Sequence, residues 1–161
     1  MSARGAGSKS GASIKTTAIR MLARREYGRV ELGLRLIAKG ADRDEVTKTL
    51  DLLQHLGYLS DARFAHAMVA QKAGRYGKRA IVHALKQKQI APDAVQDALA
   101  TIAGNDELAE ATALWERKFG EPPKDERGKA RQVRFLMARG YGMSVALKVL
   151  RSAGARADAS E

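Results

Sequence analysis

Cysteine is absent from this 161-residue chain, which excludes both a disulfide framework and a thiolate metal site. Proline occurs only three times, aromatic residues make up 5% of the chain, and there is a single tryptophan. No apolar run approaches the ~18 uninterrupted residues of a membrane-spanning helix, and the stretch Met1 to Ser13, rich in Gly, Ser and Ala, lacks the apolar core of a secretory signal. A reducing cytoplasm is the expected location.

Catalytic chemistry is missing as well. His55, His66 and His83 form no H-x-x-x-H pair, so no zinc site is expected. Gly77-Lys78 and Gly128-Lys129 echo the end of a Walker A loop, but the glycine needed five residues earlier is Lys72 or Pro123, and Arg79 or Ala130 follows. The carboxylates show no paired constellation suited to acid–base work. The chain is therefore read as a binding protein with no cofactor, no metal and no enzymatic activity.

What is present is the palette of good helix formers, Ala, Leu, Lys, Arg, Glu and Gln, with 45% hydrophobic residues to bury a core. The formal net charge is +11, an excess that answers a polyanion. Membrane-surface helices set a basic face against one rich in Trp, Phe and Leu. Here the Trp and the three Phe are scattered through different segments, so nucleic acid is favoured over an anionic membrane.

The chain repeats itself. An offset of 49 aligns Tyr27-Gly28-Arg29 with Tyr76-Gly77-Lys78 and carries Leu32, Leu36, Val46, Leu50 and Leu53 onto Ile81, Leu85, Val95, Leu99 and Ile102. A looser third copy places Leu136, Arg139 and Gly140 opposite Leu36, Lys39 and Gly40, with Ala146 and Leu150 opposite Val46 and Leu50. Val46, Leu50 and Leu53 are spaced i, i+4, i+7, one face of a helix.

These patterns predict an all-α protein of three tandem three-helix repeats forming an elongated, curved module. The expected helices span roughly 16–26, 28–39 and 42–56, then 61–73, 77–89 and 92–103, then 106–119, 125–139 and 142–152. Repeats of 15–60, 61–104 and 105–152 would lie between a disordered tail at 1–14 and a frayed one at 153–161. Asp42 with Glu45 resembles a capping box, Ser60 or Asp61 can cap the fourth helix, and Pro92 suits a first turn. Gly40, Gly57, Gly104 and Gly140 stand where left-handed caps are wanted, and Pro122-Pro123 forces an extended connection inside the third repeat.

Charge follows the repeat. Lys15 to Gly40 holds seven basic and two acidic residues, Asp61 to Ile90 seven and one, and Lys124 to Arg151 eight and two. Ala41 to Ser60 has two bases and four acids, and Ala91 to Ala111 five acids and no base. The first two helices of a repeat are thus basic and the third acidic, at least in the first two copies. A helix-turn-helix reading with that third helix in the major groove is disfavoured there, because Asp42, Asp44, Glu45 and Asp51, or Asp93 and Asp97, would be repelled by phosphates. A single Lys or Arg is ordinarily a solvated side chain, but corresponding basic faces stacked side by side would join into a stripe that tracks a phosphate backbone. The densest cluster is Arg75, Lys78, Arg79, Lys86 and Lys88 around Tyr76, a ring that could stack on a base or close a helix turn as Tyr27 does.

The segments Ala23-Arg24-Arg25-Glu26-Tyr27, Glu31-Leu32, and Leu56-Gly57-Tyr58-Leu59-Ser60-Asp61-Ala62-Arg63-Phe64-Ala65 resemble the RecX regulatory proteins. So do Arg75 to Ile81 with Lys88-Gln89-Ile90, and Lys129-Ala130-Arg131 through Arg134 to Tyr141. The resemblance runs from about residue 15 to 151. Two positions depart from the family's pattern: Lys78 replaces a frequent proline, and Gln89 the usual glycine before Ile90. It implies a bacterial cytoplasmic modulator, mainly inhibitory, of the RecA recombinase, lodged as a monomer in the groove of the RecA–DNA filament and damping its ATPase, strand-exchange and coprotease activities. The implied partners are the RecA filament and, without sequence preference, single- and double-stranded DNA. Candidate contacts from the basic segments are Arg24, Arg25, Arg29, Arg35, Lys72, Arg75, Tyr76, Lys78, Arg79, Lys86, Lys88, Lys129, Arg131, Arg134 and Arg139. The competing reading is a stand-alone basic, nucleoid-like DNA-binding protein; a nuclease ranks third.

Overall fold

A computed structural model describes residues 11–161, and among them every regular element is an α-helix. The first unit contains α1 (Gly11–Arg24), α2 (Arg29–Ala38) and α3 (Arg43–His55). The second contains α4 (Asp61–Lys72), α5 (Lys78–Gln87) and α6 (Pro92–Ala100), and the third α7 (Glu107–Lys118), α8 (Glu126–Ala138) and α9 (Met143–Asp158). Every substantial helix–helix packing lies within a unit, as in repeat proteins whose modules touch only neighbours.

Each unit buries its own core, and the repeated positions supply it. Leu32 and Ile81 are fully buried at the same point of α2 and α5, and Leu36, Leu85 and Leu136 recur fully buried near the ends of α2, α5 and α8. Val46, Val95 and Ala146 face them from α3, α6 and α9. The turn that brings the third helix back is one motif used three times. Ala41, Ile90 and Tyr141 donate their N–H to the carbonyls of Leu36, Leu85 and Leu136 at 3.1, 3.2 and 3.1 Å, and Gly40, Gln89 and Gly140 to those of Ile37, Lys86 and Met137 at 2.9 Å each. This is a Schellman closure, which requires a left-handed residue. Gly40 (φ 94°) and Gly140 (φ 92°) supply it at no cost, and Gln89 adopts φ 56° despite its side chain.

Asp42 caps α3 by accepting from the N–H groups of Asp44 and Glu45, and Ser60 caps α4 by accepting from Arg63 N–H. Gly57 is left-handed as expected, but Gly104 is not. The chain leaves α6 instead through successive tight turns, Ile102 N–H to Leu99, Ala103 to Ala100 and Asn105 to Ile102, which close the end without a left-handed residue.

Both terminal boundaries also differ from the sequence reading. Helix α1 (Gly11–Arg24) buries Ile14, so the tail placed at 1–14 is helical at 11–14; residues 1–10 lie outside the described residues. Helix α9 continues to Asp158 where fraying was expected from 153. Ala153 extends the buried face of Ala146, Val149 and Leu150, and Arg156 pairs with Glu116 of α7 at 3.1 Å. Alanine carried the periodicity there, and a search for large apolar residues passes over it.

Candidate nucleic-acid and partner interface

The candidate cations divide according to the partners the fold gives them. Glu31, 7% exposed at its side chain, gathers three of them: Arg25 at 2.8 Å, Arg35 at 3.4 Å and Lys88 at 3.3 Å, all on Oε1. Lys88 comes from α5's end in the second unit, so this carboxylate is part of the joint between units. Burial alone would raise the Glu31 carboxyl, but hydrogen bonds from Arg25 and Lys88, with their charges, outweigh it and hold the group below the ordinary carboxylate range. Its second oxygen is buried with no hydrogen-bond partner. Arg25 and Arg35 also lie over the Tyr27 ring, 3.6 and 5.6 Å from its centroid. Arg29 is held by Asp51 at 2.7 Å and by the Gln54 side chain.

The second unit meets the third through Gly77, whose N–H donates to the Arg139 carbonyl at 2.7 Å. A Cβ on Gly77 would stand 2.3 Å from the Gly140 carbonyl oxygen, so this backbone-on-backbone approach excludes any side chain. Lys72 and Arg139 both lie over the Tyr76 ring, at 4.7 and 5.1 Å, and Arg139 donates to the Arg75 carbonyl at 3.5 Å. Tyr76, half-buried, is thus engaged in closing this joint, as Tyr27 is engaged by Arg25 and Arg35.

The remaining candidates have no ion-pair partner among the described residues: Arg24, Arg75, Lys78, Arg79, Lys86, Lys129 and Arg134. Arg75, Lys78 and Arg79 cluster at the start of α5, and the Arg79 guanidinium lies against Gly142 across the joint. Arg131 and Arg134 turn towards the pocket under the Pro122-Pro123 connection, whereas Lys129, two residues before Arg131, faces a separate hollow beside Leu147 and Arg151. Lys86 and Arg24 belong to neither group.

Sequence reasoning missed Glu31 and Gln132. Glu31 carries a local signal, since Arg35 follows at i+4, but Arg25 and Lys88 arrive only through the fold. Gln132, 4% exposed, accepts from Trp115 Nε1 at 2.7 Å and donates to the Glu121 carbonyl at 3.2 Å, and nothing in a sequence marks such a clamp. Among the described residues no cluster of His, Asp and Glu could hold a metal ion, and no helix is long and apolar enough to cross a membrane.

Comparison with known proteins agrees with this architecture. Residues 60–99 match the family model of the second three-helix domain of RecX, and residues 105–150 that of its third. The regulatory protein RecX of Leptothrix cholodnii is 42% identical over 141 residues, covering 88% of this chain and 89% of that one. That of Ralstonia pickettii is 39% identical over 141 residues and 88% of each chain. Among solved structures, RecX from Lactobacillus salivarius superposes with a TM-score of 0.69 at 15% identity, covering 89% of this chain and 96% of that one. With three helical units in register, two of them matched by family models, and relatives alike over most of their length, the chain belongs to the RecX family of regulatory proteins.

Proposed function

We propose that this protein modulates the RecA recombinase, mainly as an inhibitor, by seating its three units in the groove of the RecA–DNA filament in the cytoplasm. Occupying the groove as a monomer, it damps ATP hydrolysis, strand exchange and coprotease activity by obstructing subunit motion and access of other ligands. Its role is non-catalytic. The observation that carries this reading is the cluster of Arg75, Lys78 and Arg79. Their charges have no internal partner and sit at a joint between two units, where a groove-bound module meets a polyanionic filament along its length.

The test is a titration of DNA-dependent ATP hydrolysis by RecA, beside retention of the protein on RecA filaments and on naked DNA. Retention that requires RecA, with falling hydrolysis, supports the modulator. Equal retention on naked DNA, with hydrolysis suppressed only when DNA is limiting, supports the stand-alone DNA-binding protein instead.

A further inference from the structure

The third unit has a feature the other two lack. Its first two helices are joined by residues 119–125, against 25–28 and 73–77 in the others, and the added length includes Glu121-Pro122-Pro123. Adjacent prolines keep that strap extended, and Gln132 pins it through the Glu121 carbonyl while holding the Trp115 indole on its other side. Between the strap and α8 lies an open pocket of about 740 Å³, lined by Phe119, Lys124, Arg127, Arg131 and Arg134 among others.

Arg127, Arg131 and Arg134 follow the i, i+4, i+7 spacing of one helix face. At ~1.5 Å per residue they span roughly 10 Å, the length of about three stacked nucleotides at ~3.4 Å each. Lys124, Arg127 and Arg134 have no ion-pair partner among the described residues, and Arg131 lies 5.9 Å from the Phe119 ring centroid. Two carboxylates share the lining, Glu121 and Asp125, and Asp125 is committed to the Gly128 N–H at 2.7 Å. Four cations thus outnumber two acids around one concavity.

We propose that this pocket is a phosphodiester-binding site that grips a single-stranded nucleic-acid segment in the free protein, without the recombinase. Guanidinium forks pair bidentately with phosphate oxygens, and the half-buried Phe119 ring gives a flanking base a platform. An acidic peptide would satisfy the arginines, but a nucleic acid also sets a planar base beside every phosphate, at the spacing this ring and these guanidinium groups offer. A single strand can turn a base onto the Phe119 ring, whereas the bases of a duplex are stacked and paired.

The test is an anisotropy titration of the full chain with a fluorescein-labelled oligothymidylate, following emission of Trp115, the only tryptophan, in the same experiment. Lys124→Glu/Arg127→Glu is expected to weaken binding about tenfold or more, and to flatten the dependence of log affinity on log salt by about 0.7 per lost contact. Arg20→Glu/Lys39→Glu removes the same charge from exposed positions of the first unit and is expected to cost less than about threefold. Because neither Lys124 nor Arg127 has an internal partner, the fold should survive, which far-UV circular dichroism checks; Arg134→Gln provides an independent variant. Saturating oligothymidylate should change Trp115 emission through the strap and Gln132. Equal weakening by the two double reversals, displacement of the oligonucleotide by oligoglutamate at equal charge, or an unresponsive Trp115 would each overturn the proposal. Because RecA takes no part, these outcomes are read separately from the fate of the filament model.

Discussion

The Asp61 carboxylate of α4 accepts the Arg29 backbone N–H at the start of α2, at 2.7 Å, and one unit further Glu107 of α7 accepts that of Lys78 at 3.0 Å. Helices α2 and α5 begin after Gly28 and Gly77, which have no side chain to cap them. The cap is supplied instead by an acid in the first turn of the following unit. Since Ser60 and Asp106 cap α4 and α7 themselves, Asp61 and Glu107 are free for this task. The joints between units thus combine helix capping with the Glu31–Lys88 ion pair and the Gly77–Arg139 backbone contact, while each unit keeps its own core.

Removing that cap should loosen the array. Asp61→Ala is expected to cost about 1 kcal/mol, the usual value of an N-cap, whereas Asp61→Asn, which keeps an acceptor, should retain most of it. Urea unfolding followed by circular dichroism measures both. Equal losses for Ala and Asn would show that the charge, and not the hydrogen bond, matters.

The Glu31 hub makes the first joint sensitive to acid. Its carboxyl is held below the ordinary value of 4.5 in the folded chain, so the stabilisation is complete above that value and is lost as pH falls through the lower folded value. Glu31→Gln should cost about 1.5–3 kcal/mol at neutral pH, the range for hydrogen bonds to charged groups, and should flatten the acid limb of stability against pH. Urea midpoints from pH 7 down to pH 3 test this, and parallel acid limbs in the two proteins would refute it.

Tyr141 behaves in the opposite sense. Its hydroxyl is buried without a hydrogen-bond partner, and desolvation together with Glu110 and Glu107 pushes it up to about 12. The unfolded tyrosine ionises near ~10, so stability should fall as pH rises from there towards 12. Tyr141→Phe removes an unsatisfied polar group and is expected to leave stability unchanged or raise it by about 1 kcal/mol at neutral pH, abolishing part of the alkaline loss. Thermal melts at pH 7 and pH 10.5 are the measurement; a clear loss at pH 7 would reveal a partner for the hydroxyl.

At Gln89, where the other two units have Gly40 and Gly140, the backbone keeps φ 56°. A non-glycine residue there costs roughly 1–2 kcal/mol, of which glycine's greater freedom in the unfolded chain gives back part. Gln89→Gly is therefore expected to stabilise the protein by about 0.5–1 kcal/mol, read from chemical denaturation. The side chain is exposed, so little packing is lost.

Much of the fold was legible because the apolar pattern is written with large residues at a constant offset: Leu36 and Leu85 had to be core, and Asp42 with Glu45 had to start a helix. Terminal turns were lost where alanine does the packing, as at Ala153. The candidate interface was legible only as a set of charges. Whether Arg25 meets solvent or Glu31 depends on where Lys88 and Tyr27 are placed, and that placement is tertiary. Sequence therefore found the cations but could not separate those that hold units together from those left unpaired, such as Arg75, Arg79 and Arg134.

That separation yields the sharpest test of the proposed function. Arg75→Glu/Arg79→Glu reverses two unpaired charges at the second joint and spares Lys78, whose backbone N–H rests on Glu107. Surface substitutions of this kind move stability by only about half a kcal/mol, so a folded variant is expected. If the cluster faces the filament, the concentration needed to halve DNA-dependent ATP hydrolysis by RecA should rise about tenfold or more. Arg20→Glu/Lys39→Glu, equal in charge and away from the joint, should shift it by less than about threefold. Arg25→Gln, whose partner is Glu31, should lower stability before it lowers inhibition. Equal loss from the two double reversals would mean that net basicity alone is at work, and would favour the non-specific DNA-binding protein over the groove-seated modulator.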